Sequence, residues 1–185
     1  MIVDKLKIER FVNNNYSQDL VDKASKIELL AFDVDGVITD GGIYIDHNGN
    51  ESKRFYAQDG HGIKIVQSIN IKTVIISGRS SVSVDHRGVE LGINQVIQGS
   101  RDKLKTFKDN FVNIDRKSIC YVGDDTVDIE LLDYSGLSII VPNSNKLLLE
   151  YQFDWVTPRS GGYGALRDVC DLIYYSKYLK NESNT

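Results

Sequence analysis

The stretch LLAFDVDGVITDGG, residues 29–42, decides the fold class of this 185-residue chain. An apolar run leads into Asp33 and Asp35, which are separated by one residue, and Gly36 and Asp40 follow. A continuous apolar run that is stopped by acidic residues is typical of a strand buried on both faces in a parallel sheet. We therefore expect the aspartates to lie at the carboxyl end of such a strand, where open α/β sheets bind ligands.

Composition predicts a soluble, cytoplasmic protein. The formal net charge of -4 argues against a nucleic-acid partner, because a phosphate-binding face normally shows an excess of Lys and Arg. Cys120 and Cys170 have no ligand-like spacing and lie in apolar surroundings, so we expect free, buried thiols. The N-terminus has no apolar signal region, and no segment approaches the roughly 18 apolar residues of a membrane span. We expect neither a membrane partner nor export.

Strands and helices alternate along most of the chain. Apolar runs predict strands, and amphipathic runs predict helices; the strands are residues 27–34, 72–78, 93–99, 118–125 and 137–143, and the helices are residues 60–70, 81–92, 101–111, 127–135 and 164–179. Residues 41–57 alternate apolar and polar side chains around Asn48-Gly49, which predicts a β-hairpin. The pattern indicates an α/β fold, an open parallel sheet with helices on both faces and a hairpin inserted after the first strand.

The chain is expected to divide into a single domain, residues 27–185, and an N-terminal extension, residues 1–26, whose role is unknown and which carries a helix over 18–26. No cap domain is predicted. The gap between Asp40 and Ser77 is already filled by the hairpin and a helix, and it is far shorter than the roughly 100 residues of a typical domain.

Four polar clusters follow four of the predicted strands, and they should converge at one edge of the sheet. They are Asp33 with Asp35, Ser77-Gly78-Arg79, Lys103, and Gly123-Asp124-Asp125. Converging carboxylates repel one another, so a cation should bind among them. Mg²⁺ held by Asp33 and Asp124 fits, since this ion accepts one or two carboxylates and keeps positions for water and phosphate. A calcium loop does not fit, because Val37 stands where such a loop needs an oxygen ligand.

The spacing of the first two aspartates suggests phosphomonoester hydrolysis in two steps. A carboxylate of Asp33 can attack phosphorus and form an aspartyl phosphate. Asp35 can then act as the acid for the leaving alcohol and as the base for the attacking water. Ser77 and Lys103 would hydrogen-bond the phosphoryl oxygens and neutralise their charge.

These residues carry a resemblance to a known family. The motifs DVDGVITDGG, ISGR, DKL and GDDTVD resemble, in order, the four motifs of the haloacid dehalogenase superfamily of phosphatases. More closely, DVDGVITDG, QDGHGIK, ISGRSS, YVGDDTVD and SGGYGALRDVCDLI resemble the 3-deoxy-D-manno-octulosonate 8-phosphate (KDO 8-phosphate) phosphatase family. The likeness extends over about residues 27–176 and implies the capless haloacid dehalogenase fold and this sugar phosphate as substrate.

The resemblance also implies ligands for the metal and the sugar. Mg²⁺ would be bound by the side chains of Asp33 and Asp124 and by the backbone carbonyl of Asp35. The substrate contacts would be Asp35, Tyr56, Ala57, Gln58, Asp59, Gly60, Lys64, Arg79, Arg87 and Lys103. Close relatives have arginine where this chain has Gln58, and GGRG where it has GGYG, so that Tyr163 replaces a cationic residue.

An alternative substrate and an alternative function remain open at this point. A nine-carbon sugar acid 9-phosphate could be the substrate instead. A receiver-type signalling domain would share the acidic cluster. Its paired acids, however, follow the first strand, and its phosphate-accepting aspartate stands alone after a later strand. Here the order is reversed, because DVD comes first and GDD comes later.

A capless site needs walls, and the hairpin is too small to be stable alone. We therefore expect a homo-oligomer, and the resemblance implies a tetramer.

Overall fold

The computed structural model describes residues 4–183 and has eight strands. They are β1 (Leu29–Phe32), β2 (Tyr44–Ile45), β3 (Glu51–Ser52), β4 (Lys72–Ile76), β5 (Gln95–Ile97), β6 (Ile119–Gly123), β7 (Leu137–Ile140) and β8 (Trp155–Val156). Six of them form one parallel sheet in the order β5-β4-β1-β6-β7-β8. The predicted open parallel sheet is confirmed, and β1 lies near its centre.

Seven helices surround the sheet in the described part of the chain. They are α1 (Lys5–Asn15), α2 (Gln18–Ala24), α3 (Ala57–Gln67), α4 (Val82–Leu91), α5 (Lys103–Asn110), α6 (Ile129–Tyr134) and α7 (Ala165–Ser183). None of the helices described is long and apolar enough to span a bilayer. Helix α3 begins at Ala57, three residues before the predicted start, so the expected loop 56–60 is mostly the first turn of a helix.

The alternation of side chains along β1 creates two cores, because successive residues of a strand point to opposite faces. Leu30 and Phe32 join the core beneath α2, α3, α4 and α7. Leu29 and Ala31 join a second core beneath α5 and α6. Helices therefore cover both faces, as predicted, and burial of the whole strand explains its continuous apolar sequence.

The hairpin β2–β3 leaves the main sheet directly after the first motif. Its two strands pair antiparallel, with Tyr44 opposite Ser52 and Ile45 opposite Glu51. The carboxylate of Asp46 accepts backbone hydrogen bonds that close the turn, and Gly49 adopts φ +83° there. Within residues 4–183 the segment between the first and second motifs holds only this hairpin and α3, so no cap domain is present.

Two elements were not predicted, α1 and β8. Helix α1 is mostly polar and buries only Ile8 and Val12, so its apolar periodicity is weak. It packs with α2 against α7, and Tyr16 contacts Trp155 of β8 edge to face, with ring centres 5.6 Å apart. Tertiary contacts rather than sequence pattern thus define these pieces.

Candidate active site

The predicted catalytic residues meet at the carboxyl edge of the sheet. Asp33, Ser77 and Asp124 directly follow β1, β4 and β6, and β1 lies between the other two. Lys103 is the first residue of α5 and reaches Asp33, with 3.0 Å between its Nζ and Oδ2. Three neighbouring strand ends and one helix start therefore bring the four polar clusters together.

Asp128 is a site residue that sequence reasoning did not assign. Its side chain is fully buried, and its Oδ1 accepts hydrogen bonds from Lys103 Nζ and the Tyr121 hydroxyl, both at 2.6 Å. Its Oδ2 accepts the backbone N–H groups of Asp124 and Asp125 at 3.0 and 3.1 Å. Asp128 thus fixes both the lysine and the loop that carries Asp124.

A sequence signal for Asp128 existed in the motif GDDTVD. Asp125 and Asp128 form a reciprocal capping box at the start of the short 3₁₀ helix Thr126–Asp128. An acidic residue three positions after an N-cap predicts such a box, although Glu or Gln is the usual residue. The other role of Asp128, as the partner of the buried Lys103, is visible only in the folded structure.

Burial and crowding of like charges shift the pKa values of two carboxyl groups here. Burial raises the pKa of Asp33 to about 6, the positive charge of Lys103 opposes this, and the negative charge of Asp128 adds to it. Burial, followed by the charges of Asp33 and Asp128, raises the pKa of Asp124 to about 8. The site therefore has more negative charge than its single buried lysine can compensate.

The donor set suits a small, hard divalent cation. Asp33, Asp124 and Asp128 each offer a carboxylate oxygen, and these three atoms lie within 4.8 Å of one another. Oδ1 of Asp124 is buried and has no hydrogen-bond partner among the described residues, so it can serve as a ligand. The oxygens of Asp128 already accept four hydrogen bonds, which favours Asp33 and Asp124 as the side-chain ligands. Carboxylate oxygens are ligands that Mg²⁺ accepts, and a cation here would offset the crowded negative charge.

Gly36 is required by a close approach at this site. It has φ +92°, and a Cβ there would lie 2.1 Å from Oδ2 of Asp124. Residues Val34–Ile38 form a tight turn in which the Thr39 N–H donates to the Val34 carbonyl at 3.0 Å. Gly36 thus leaves room for Asp124 of the fourth motif, GDDTVD.

Asp35 lies in a second polar network, which includes the hairpin. Lys53 contacts Oδ1 of Asp35 and lies 2.9 Å from Glu51 Oε1. Arg79 Nη2 contacts Glu51 Oε2 at 2.6 Å, and its Nε lies 3.5 Å from Asp35 Oδ2. Lys53 and Glu51 were not predicted as site residues, because nothing in a short hairpin sequence shows which way its charged side chains turn.

Four of the expected substrate contacts line one open cleft of about 430 Å³. They are Ala57, Gly60, Lys64 and Arg87, and the lining is completed by Phe55, His61, Glu90 and Leu91. Glu90 lies 2.8 Å from Arg87 Nη1. The Arg87 guanidinium lies 5.6 Å from the Phe55 ring centre, and its Nε is buried without a hydrogen-bond partner among the described residues. Because Phe55 lies two residues beyond Lys53, the cleft and Asp35 are joined by one short extended segment.

Three other expected contacts lie elsewhere on α3. Tyr56 is the half-buried residue that precedes the helix. The Gln58 amide oxygen accepts a hydrogen bond from Arg159 Nη1 at 2.7 Å. Asp59 is fully buried and accepts the Arg167 N–H at 2.8 Å, and its burial raises its pKa to about 6. Asp59 therefore caps the start of α7, and its position gives no support to a substrate contact.

The loop SGGYG, residues 160–164, is docked on the first motif of its own chain. A Cβ on Gly161 would lie 1.7 Å from the Gly36 carbonyl oxygen, so only glycine fits. The Asn143 side chain bridges the same contact, donating to the Gly36 carbonyl at 3.0 Å and accepting the Gly161 N–H at 2.7 Å. Tyr163 lies half-exposed beneath the Arg54 guanidinium, 4.6 Å from ring centre to Cζ.

A larger cavity, about 830 Å³, lies at the opposite end of the sheet. It is lined by residues before and at the start of β1 and β4, including Glu28, Ile69 and Lys72. It does not share residues with the carboxylate cluster or its lysine. Size therefore does not identify the reactive site in this molecule, whereas converging charge does.

Comparisons with known proteins agree with this geometry. A haloacid dehalogenase-like hydrolase family model matches residues 95–160. The chain is 42% identical over 169 residues to 3-deoxy-D-manno-octulosonate 8-phosphate phosphatase KdsC of Escherichia coli (strain K12), covering 90% of this chain and 89% of that one.

Two solved structures share the fold closely. The phosphatase of that name from Yersinia pestis superposes with a TM-score of 0.84 at 37% identity, over 87% of this chain and 88% of that one. The one from Moraxella catarrhalis, solved with a magnesium ion, a phosphate ion and a KDO molecule, gives 0.84 at 36% identity, over 92% of this chain and 100% of that one. The family resemblance seen in the motifs is thereby confirmed. This chain belongs to the 3-deoxy-D-manno-octulosonate 8-phosphate phosphatase family of haloacid dehalogenase-like hydrolases.

Proposed function

We propose that this chain is a Mg²⁺-dependent phosphatase that converts KDO 8-phosphate to KDO and phosphate, a step in lipopolysaccharide precursor synthesis. The observation that carries the chemistry is the buried cluster in which Asp33, Lys103, Asp124 and Asp128 converge at one edge of the sheet. Support for the substrate comes from the relatives of that name and from the KDO and phosphate bound by the Moraxella catarrhalis enzyme.

The reaction proceeds in two displacements at phosphorus. A carboxylate oxygen of Asp33 attacks phosphorus, the bond from phosphorus to the sugar oxygen breaks, and Asp35 gives its proton to the leaving oxygen. Water then attacks phosphorus, its proton passes to Asp35, and the bond from phosphorus to Asp33 breaks to release inorganic phosphate. Asp35 ends the cycle in its starting, protonated state.

The remaining residues stabilise charge. Lys103 and the hydroxyl of Ser77 hold the phosphoryl oxygens as their negative charge rises. Asp33, Asp124 and the backbone carbonyl of Asp35 would hold Mg²⁺, which supplies further positive charge at those oxygens when bound. Asp128 keeps Lys103 and the Asp124 loop in place.

Specificity for an acidic sugar requires a second cationic region away from Lys103, because the substrate carries a carboxylate as well as a phosphate. Lys64 and Arg87 of the cleft, with Arg79 beside Asp35, are our candidates. At the two divergent positions, Arg159 donates to Gln58 and Arg54 lies over Tyr163, and these arginines are also paired with Asp168 and Asp40.

A panel of phosphate esters assayed with Mg²⁺ tests the proposal. We expect kcat/KM for KDO 8-phosphate to exceed that for glucose 6-phosphate by more than about a hundredfold, since a lost charged contact costs several kcal/mol. Arg87→Met should raise KM for the acidic sugar and leave kcat nearly unchanged, whereas Lys105→Met on an exposed turn of α5 should change neither. Equal kcat/KM for the two esters would refute the substrate, and a preference for a nine-carbon sugar acid 9-phosphate would replace it.

We also propose a cytoplasmic homotetramer. Support for association comes from the hairpin, where Ile43 and Ile45 are 51% and 65% exposed on an element too small to be stable alone. Support for a reducing compartment comes from Cys120 and Cys170, which are buried and unpaired. Sedimentation of an Ile43→Ser, Ile45→Ser variant should show dissociation, and Val89→Ser, which alters an exposed valine on α4, should not. A fully active parent monomer would refute the idea that a neighbouring subunit supplies a wall of each active site.

A further inference from the structure

Four charged side chains form a closed ring beside the active site. Asp35, Lys53, Glu51 and Arg79 alternate in sign, and each contacts the next one, so that Arg79 returns to Asp35. The members come from three parts of the chain: the first motif, the end of the hairpin and the loop after β4. We call this arrangement the charge ring.

Lys53 is the most buried member of the charge ring, with only 1% of its side chain exposed. Removing an ammonium group from water costs several kcal/mol, which the two carboxylates only offset. Apolar residues of the same volume often replace buried ion pairs with no loss of stability. A buried ion pair is therefore weak evidence for a purely structural lysine, and the contact of Lys53 with Asp35 suggests a role in the reaction.

The contacts of Asp35 show what that role is. Lys53 contacts Oδ1, while Oδ2 is buried and accepts no hydrogen bond from any residue in 4–183. A carboxyl group that gives and takes a proton needs one oxygen free and needs it to point in a constant direction. Contact at Oδ1 supplies the direction. Arg79 Nε lies 3.5 Å from Oδ2 but donates no hydrogen bond to it, so this oxygen can still take up a proton. Glu51, itself held by Arg79, keeps the Lys53 ammonium group from turning away.

We propose that Lys53 is a positioning residue that orients the acid and base carboxyl group of Asp35, and that Glu51 anchors it. The inference deepens the proposed function, because it presumes proton transfer by Asp35. It makes the hairpin part of the catalytic apparatus of its own subunit. The hairpin then has a second task beside association.

The choice of leaving group distinguishes a positioning role of Lys53 from a purely structural one. Phenyl phosphate and p-nitrophenyl phosphate have similar shape and charge, but phenolate is a much poorer leaving group and depends more on a proton donor. The ratio kcat/KM reports events up to the first phosphoryl transfer. Misplacement of the acid should therefore lower kcat/KM for phenyl phosphate and the sugar phosphate far more than for p-nitrophenyl phosphate.

The experiment uses the full chain with Mg²⁺ in four forms: parent, Lys53→Met, Lys53→Arg and the surface control Lys105→Met. We expect Lys53→Met to lower kcat/KM for phenyl phosphate about thirtyfold and for p-nitrophenyl phosphate less than about threefold, a part of the 10²- to 10⁴-fold that acid–base catalysis contributes. Lys53→Arg should recover part of the loss. Lys105→Met should change neither substrate.

Three results would overturn the inference: an equal loss for both aryl esters, a loss confined to KM, or no loss at all. Thermal unfolding of each variant guards against a general folding defect, which would reduce both esters together. A parent enzyme that hydrolyses both aryl esters but not KDO 8-phosphate would refute the proposed substrate and leave the test of Lys53 intact.

Discussion

Asp33 and Asp35 are two residues apart, yet their surroundings differ in kind. The partners of Asp33 are Lys103 and, through it, Asp128, with side chains 1% and 0% exposed. They belong to elements fixed by the sheet. The partners of Asp35 come from the hairpin and an open loop. Lys53 is as buried as Lys103, but the side chains of Glu51 and Arg79 are 21% and 46% exposed.

This difference suits the two chemical tasks that we propose for Asp33 and Asp35. A nucleophile must stay in line with phosphorus, and a desolvated network with few alternatives holds it there. A proton carrier exchanges protons with the leaving group and with water, so partial exposure suits it. Charges in a low-dielectric interior interact strongly, while those at the surface are weakened by water and salt. Substitutions in the two networks should therefore differ in size and in salt dependence.

The largest effect is expected from the nucleophile itself. Asp33→Asn should reduce kcat by more than about 10⁴-fold, because an amide cannot form the covalent intermediate. Asp35→Asn should keep the first phosphoryl transfer from substrates whose leaving groups need no proton, although its turnover is slow because the second step lacks its base. First-turnover release of nitrophenolate from p-nitrophenyl phosphate by both variants measures the contrast, and parent-like turnover by Asp33→Asn would break it.

A large loss of stability is expected when the buried network loses a member. Asp128→Asn removes a charge that partners Lys103, so the free energy of unfolding should fall by about 3 kcal/mol. Asp133→Asn, on an exposed position of α6, should stay within about 0.5 kcal/mol of the parent. Urea titrations measure both, and an equal effect of the two substitutions would show that Asp128 is not a buried anchor.

A smaller and pH-dependent effect is expected in Mg²⁺ binding. The pKa of Asp124 is raised to about 8 by burial and by neighbouring carboxylates, so the metal-free site holds a proton that Mg²⁺ must displace. The dissociation constant should fall about tenfold for each unit of pH between 6 and 8. Because the folded pKa exceeds the ordinary value of 3.8, the metal-free protein also loses stability as pH rises in this range.

Calorimetry in buffers of different ionisation enthalpy measures both the affinity and the protons released. Uptake of Mg²⁺ without proton release, at an affinity independent of pH, would contradict the described charge balance. The Asp124→Asn variant is the matched control, since it lacks the titrating ligand.

The smallest effect is expected from salt. Arg79→Met should lower the free energy of unfolding by less than about 1 kcal/mol in dilute buffer and by almost nothing at roughly 0.5 M salt. The cost of Asp128→Asn should be the same under both conditions, because buried charges are screened little. If the stability cost of Asp128→Asn fell at high salt, the Asp33 and Asp35 networks would not differ in burial as described.

The sheet and the Asp33 network could be predicted because their signals are local. Apolar runs that end in carboxylates mark the strands, and parallel topology alone brings Asp33, Ser77 and Asp124 together. Lys103 was predicted from its place between the second and fourth clusters, since a helix lysine by itself carries no such signal.

The Asp35 network could not be predicted for the opposite reason. The direction of Lys53 depends on how the hairpin returns to the sheet, where Thr39 bridges Phe55. The burial of Asp59 depends on where α7 begins, more than 100 residues later. Both features depend on tertiary contacts and leave no local sequence pattern, and the same holds for α1 and β8.

The division of tasks between Asp33 and Asp35 is tested most directly by a burst experiment on Asp35→Asn with p-nitrophenyl phosphate and Mg²⁺. Transfer to Asp33 needs no acid with this leaving group, whereas hydrolysis of the intermediate still needs the missing base. We predict a rapid burst of about one nitrophenolate per subunit, followed by slow turnover, with a phosphoryl group on the peptide that contains Asp33. A steady rate without a burst, or phosphate on another residue, would contradict the account.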